Sequence, residues 1–187
     1  MKILGGEFNG RNFYMPADIR PSQNVLRQSV FNIVGQDLSE LTFLDVFAGS
    51  GAIGFEAISR GAKRVTFIER DDKCLKVIET NCELLGLTED FKAREKYEIC
   101  NIDAFVAIKN FAKSNRKFDI IFLDPPYEVG LAKKALKTLE AYDILAPKSL
   151  VLIEHNRREN LTEVCERLKL IKERKYGRSY LAVFELK

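Results

Sequence analysis

Two short stretches carry residue types whose spacing can do chemistry. The more specific is Asp124-Pro125-Pro126-Tyr127, directly after the most apolar run of the chain, Phe118 to Leu123. Proline fixes φ and has no N–H, so the pair stiffens the backbone and holds the Asp124 carboxylate and a main-chain carbonyl toward one spot as paired acceptors. An exocyclic amino group fits between them. Such an amine is a weak nucleophile because its lone pair is delocalised into the ring. Gripping its hydrogens favours the pyramidal form, which attacks a methyl group in line. Tyr127 then offers a face on which a base stacks. A Pro-Pro turn that merely closes a strand is the alternative without chemistry.

The second stretch, Phe43 to Gly54, reads FLDVFAGSGAIG: an apolar strand carrying one acid, a glycine turn, then the start of a helix. Gly49, Gly51 and Gly54 lack the Cβ atoms that would keep a ligand off the backbone. Their spacing satisfies the dinucleotide fingerprint, with Glu69 ending the next strand where an acid holds a ribose. By itself the loop is open to NAD as well as to S-adenosylmethionine. Asp45 tips the balance, because a carboxylate beside the loop repels a pyrophosphate and attracts a sulfonium and an ammonium. Asp45 bonded only to the loop's own amides is the reading without a ligand.

The elements that must position these groups follow from the pattern. From Leu41 onward, apolar strand runs alternate with helical periods, which predicts a parallel sheet with helices on both faces. Strands are expected at Thr42 to Phe47, Arg64 to Glu69, Tyr97 to Cys100, Phe118 to Leu123 and Leu150 to Ile153. Helices are expected from Ser22, as N-cap, to Gly35, then around Leu75 to Leu85, Ala104 to Lys113 and Gly130 to Tyr142, with one more through Leu161, Val164, Cys165 and Leu168. Leu170 to Lys175 and Tyr180 to Leu186, joined at Gly177, alternate like a hairpin, so the sheet ends in an antiparallel strand. Residues 1 to 19 form a hairpin or arm that must lean on the core, and the charged stretch Thr88 to Lys96 reads as a solvated loop. Residues 1–40 and 41–187 are thus arm with helix, and core, of one domain. Ligands of such sheets lie at the carboxyl ends of the strands. There Glu69 can accept both ribose hydroxyls, Asp103 the adenine amine, and Ile102 can lie on the ring, while Asp103 is equally placed to cap the next helix.

Composition sets limits. The chain has 187 residues, 46% hydrophobic and 30% charged, which suits one soluble domain with a sizeable core. A net charge of +3 is too small to announce nucleic-acid binding by itself. Cys74, Cys82, Cys100 and Cys165 form no CxxC pair and stand with a single histidine, His155, so they read as buried thiols rather than a metal or redox motif. The start MKILGG has no signal core and no run approaches membrane-spanning length, which points to a cytoplasmic, non-membrane protein.

FLDVFAGSGAIGFEAISRGA together with DPPY resembles the class I S-adenosylmethionine-dependent methyltransferases that methylate amines. ILGGEFNGRNF, RPSQNVLRQSVFNIV and YGRSYLAVFE extend the resemblance over nearly the whole chain, to the RsmD family, which methylates guanine N2 in 16S rRNA. The resemblance implies a Rossmann-like, doubly wound seven-strand sheet of order 3-2-1-4-5-7-6 without metal. It places the cofactor at Asp45, Phe47, Ala48, Gly49, Ser50, Gly51, Gly54, Glu69, Arg70, Ile102, Asp103 and Ala104, and catalysis at Asp124 to Tyr127. Its substrate is 16S rRNA or the 30S particle, and the enzyme is taken as a monomer. The family's helix-opening motif usually reads RPT-x-DRVRE; Asn24, Val25 and Gln28 depart from it while Arg20 and Arg27 match. RNA contacts are expected from Arg11, Arg20, Asn24 and Arg27 at one end and Lys175 and Arg178 at the other, helped by Lys172, Arg174, Tyr176 and Tyr180. The same tetrapeptide also serves N6-adenine methylation of DNA or RNA. A NAD-dependent oxidoreductase and a non-catalytic RNA-binding protein are more distant alternatives.

Overall fold

In the computed structural model, residues 1–15, 24–89, 91–127, 130–156, 159–161 and 164–187 are described, so Arg20 and the expected cap Ser22 lie outside the described residues. The strands are β1 (Thr42–Val46), β2 (Arg64–Glu69), β3 (Tyr97–Asn101), β4 (Phe118–Leu123), β5 (Leu145–Asn156), β6 (Leu168–Tyr176) and β7 (Ser179–Leu186). They form one seven-stranded sheet of order β3-β2-β1-β4-β5-β7-β6. β1 through β5 pair in parallel, while β7 is antiparallel to both β5 and β6. The helices are α1 (Asn24–Val34), α2 (Ala52–Ser59), α3 (Asp72–Leu84), α4 (Phe91–Glu95), α5 (Ala104–Lys113) and α6 (Leu131–Ala141).

Strand side chains alternate between faces, and β1 shows what that does. Phe43 joins a core with Phe31 of α1, Phe55 of α2 and Phe67 of β2. Leu44 and Val46 join the opposite core with Ile108 of α5 and Leu136 of α6. A strand apolar on both sides needs a helical layer on each, which is why the central strands read as continuous apolar runs. Burial of each such phenylalanine contributes roughly 1.5–3 kcal/mol.

The N-terminal arm makes one isolated bridge, Lys2 to Asn12, and sends Ile3, Phe8 and Phe13 into the first core. Below it, Glu56 of α2 accepts from the Leu4 amide at 2.6 Å and from Arg60 at 2.7 Å, with the Arg27 Nε 3.7 Å away. Burial pushes the Glu56 carboxyl up and the Arg27 guanidinium down, against the pull of each on the other.

Several expectations are corrected. The stretch from Thr88 is not all loop: α4 is a helix of five residues, too short to leave a readable period. β5 runs well beyond Leu150 to Ile153. Pro147 and a left-handed Lys148 (φ 64°) interrupt its apolar run, and a register shift opposite Phe118 and Ile120 absorbs them as a bulge. No helix occurs among the described residues from Leu161 to Arg167, and Leu168 opens β6, so apolar residues spaced there as if helical fill the second core from an irregular segment. Only Cys82 is a buried thiol; Cys74, Cys100 and Cys165 are half-buried, and none of the four forms a disulfide. Burial pushes the Cys82 thiol up to about 12 and those of Cys100 and Cys165 up to about 11, so they are protonated at neutral pH.

Candidate active site

The glycine loop leaves β1 with Phe47 at φ 62°, a left-handed conformation that bulky side chains rarely adopt. Gly49 and Gly51 follow, also with positive φ, and α2 begins at Ala52. The three glycines serve different ends. A Cβ at Gly54 would lie 2.1 Å from the Phe67 ring, and one at Gly51 would lie 2.8 Å from Phe55 and 3.1 Å from Phe67, so both allow α2 to pack on β2. A Cβ at Gly49 would meet nothing within 4 Å. Space beside the Cα is therefore open at Gly49 alone, while at Gly51 and Gly54 it is taken by aromatic packing rather than kept clear as expected.

Asp45 is 2% exposed, and its Oδ2 accepts from the Gly54 amide at 2.9 Å. Burial raises its carboxyl well above the ordinary range; the Gly54 amide pulls it down, and the charges of Asp124 and Glu69 push it further up. Those three acids stand at or next to the carboxyl ends of β1, β2 and β4, the adjacent strands at the sheet's centre. Glu69 braces the loop, accepting from the Gly49 amide at 2.8 Å with one oxygen and from the Arg70 and Asp71 amides at 2.7 and 2.9 Å with the other. Asp103 caps α5 through the Phe105 and Val106 amides, and its second oxygen faces the exposed Arg70 guanidinium at 3.6 Å. Ile102 and Phe105 are half-buried beside Phe47, with the Phe47 and Phe105 rings edge to face at 6.2 Å; Ala104 and Ser50 are buried and Ala48 is half-buried. The predicted cofactor residues thus gather at the carboxyl end of the sheet, around a region termed the crevice.

Asp124 continues β4 into the same crevice, its amide donating to Val46 at 3.3 Å. Pro125 is buried and Pro126 exposed. Tyr127 is 42% exposed, yet its hydroxyl is fixed: it donates to Glu154 Oε1 at 2.8 Å and lies 2.7 Å from Ser179 Oγ. A phenol has one proton, so with that proton on Glu154 it is Ser179 that donates to Tyr127. Glu154 and Ser179, both buried, are site residues that the sequence reading missed. A signal was there: Glu154 follows the apolar run of β5 as Asp124 follows that of β4, and the two strands pair in register at Leu123 and Ile153.

The RNA candidates divide. Lys175 and Arg178 are exposed on the β6–β7 hairpin. That hairpin reaches α1 through a Tyr176–Ser29 hydroxyl contact and the crevice through Ser179. Asn24 is exposed and accepts from Arg27 at 3.0 Å. Arg27 itself is 0% exposed and spent on Lys2, Asn24 and Glu56, so it faces no RNA surface. Arg11 is exposed but donates to the Leu84 and Leu85 carbonyls at the end of α3, fastening the arm. Among the described residues no group of acids, histidines or cysteines has the arrangement of a metal site.

The fold is that of the class I methyltransferases. Residues 1–185 match the family described as Conserved hypothetical protein 95. Ribosomal RNA small subunit methyltransferase D of Haemophilus influenzae is 31% identical, over 95% of this chain and 89% of its own length, and that of Escherichia coli is 30% identical, over 95% and 85%. The chain belongs to this family, RsmD. Among solved structures, Escherichia coli yhhF superposes with a TM-score of 0.84 at 27% identity, covering 100% of this chain and 98% of that one. An RNA methyltransferase from Salinibacter ruber, solved with S-adenosyl-L-homocysteine, shares the fold at a TM-score of 0.67 and 14% identity, covering 89% and 94%.

Proposed function

We propose that this protein transfers a methyl group from S-adenosylmethionine to the exocyclic N2 amine of a guanine in 16S rRNA, as a cytoplasmic monomer that uses no metal. The observation that carries the reading is the meeting of Asp45, Glu69 and Asp124 at the ends of adjacent strands, with the Pro-Pro-Tyr turn beside them. Negative charge around a glycine loop suits a cation. Asp45 and the Gly49 backbone hold the amino-acid end of the cofactor, Glu69 its ribose, and Asp103 with Ile102 its adenine. The cofactor fits this donor set and, when bound, supplies a methyl group on a sulfonium. Asp124 and a main-chain carbonyl grip the amine, Tyr127 stacks the base, and Glu154 with Ser179 keeps the Tyr127 ring in place. With the cofactor bound, the amine would take the methyl group as the sulfonium sulfur gives it up, and the proton then lost from nitrogen would pass to Asp124, which already accepts from the amine. The names of the RsmD relatives support ribosomal RNA as the substrate, either naked or in the 30S particle.

The test is nucleoside analysis after reaction with ribosomal RNA or 30S particles lacking the modification. N2-methylguanosine should appear, N6-methyladenine in duplex DNA should not, and EDTA should change nothing. Methylation confined to adenine would leave the cofactor assignment standing and remove the substrate.

A further inference from the structure

Helices α5 and α6 lie on the face opposite the N-terminal arm, and a groove between them is lined by Phe105 and Tyr142 and by Lys109, Lys133, Lys134 and Lys137. All four lysines are exposed. Lys133 and Lys137 stand four apart on one helix, a spacing at which like charges repel. Among the described residues none of the four belongs to an ion pair, whereas Lys63, Lys96 and Lys117 each do. The nearby Glu159 is buried and accepts from the Lys133 backbone amide. Two of the ammonium groups are held over rings: Lys134 Nζ is 4.1 Å from the Phe105 centroid and Lys109 Nζ is 5.8 Å from that of Tyr142. A lysine face that serves only solubility needs neither ring contacts nor a groove.

Phe105 joins the groove to the glycine loop. It stands in the first turn of α5, two residues after Asp103, with its ring against Phe47. Gly130, which starts α6, lies just beyond Tyr127 and lines the groove as well. A polymer whose base occupies the crevice can therefore run its backbone down between the helices. Of the N-terminal candidates among the described residues, Arg27 is buried and Arg11 is bonded to the end of α3, so neither offers free positive charge of this kind.

We propose that the α5–α6 groove holds the phosphate backbone of RNA flanking the target base, an inference that rests on the rRNA methyltransferase reading. Lysine ammonium groups bind phosphates as point charges irrespective of sequence, which leaves the choice of base to the crevice.

The test is the salt dependence of binding to an unmodified small-subunit rRNA transcript. Each lost phosphate contact lowers the slope of log K against log salt by about 0.7 to 0.9, so combining Lys109→Gln, Lys133→Gln and Lys137→Gln should lower it by about 2 to 3. Affinity at low salt should fall at least tenfold, with S-adenosylhomocysteine affinity and melting temperature unchanged. An unchanged slope, with the wild type binding and methylating the transcript, would overturn the groove alone. Lost activity on 30S particles with an unchanged slope on naked RNA would assign the groove to a ribosomal protein and equally overturn the proposal. Wild-type protein that methylates no ribosomal RNA would instead fail the underlying function.

Discussion

Charge is buried in two regions of this molecule and handled in opposite ways. Beneath the N-terminal arm, Glu56 lies between Arg27 and Arg60, so the carboxylate faces cations. In the crevice, Asp45 and Glu69 are held by backbone amides, and the charge of Asp124 adds to theirs. An ion pair fixes geometry and cancels the field, whereas amides satisfy the oxygens and leave the negative potential in place. The first arrangement draws its counter-charge from within the protein, although the buried Nε atoms of Arg27 and Arg60 have no hydrogen-bond partner among the described residues. The second is suited to a cation arriving from outside, and that contrast separates the structural cluster from the candidate site.

The largest effect is expected in the crevice. Asp124→Ala should lower kcat by about 10² to 10³, the scale of one lost transition-state hydrogen-bonding group, while calorimetry finds S-adenosylhomocysteine affinity unchanged. Full turnover in that variant would remove Asp124 from the chemistry. Beneath the arm the readout is stability: Glu56→Ala leaves two guanidiniums buried without their counter-charge and should cost roughly 3–5 kcal/mol in denaturant unfolding. A loss below about 1 kcal/mol would mean that the arginines do not need Glu56.

The smallest effect sharpens the contrast through pH. Burial, aided by the neighbouring acids, raises Asp45 above its ordinary 3.8, so its contribution to stability is fully present below that value and is lost as pH rises through the folded-state value. Asp45→Asn keeps an acceptor for the Gly54 amide and does not titrate. The melting temperature of the wild type should therefore fall relative to the variant between about pH 4 and neutrality. Titration calorimetry should also show the variant losing more affinity for S-adenosylmethionine than for S-adenosylhomocysteine, because only the former carries a sulfonium. Parallel melting curves across that range would show that Asp45 carries no charge penalty.

What was legible in the sequence follows residue type at element boundaries. β2, β4 and α5 fall where expected because each begins or ends on an abrupt change, such as Leu123 to Asp124 or the cap Asp103 before Ala104. The crevice was legible because acids at strand ends have few structural uses. Arg27 was misplaced because its chemistry outweighed its position: it shares a helix face with Val30 and Phe31, at spacings of three and four, and that period puts it inside. Glu56 sits likewise within the otherwise apolar AIGFEAIS of α2. Glu154 and Ser179 depend on strand pairings made far along the chain, which local pattern does not carry.

The N-terminal arm has a temporal side. Its fastenings reach far ahead: Leu4 to Glu56, Phe8 to Ser59 and Tyr14 to Asn81, across separations of 52, 51 and 67 residues. At a synthesis rate of about 5–20 residues per second, the arm leaves the ribosome several seconds before its partners exist. Ile3, Phe8 and Phe13 are in water for that interval, since the hairpin bonds from the Ile3 amide to Arg11 and from the Phe13 amide to Met1 close the arm without giving these side chains a core. The arm can thus take up these contacts only after α2 and α3 have been made, and the ribosome that this family modifies is also where the arm's residues wait for a surface to settle on.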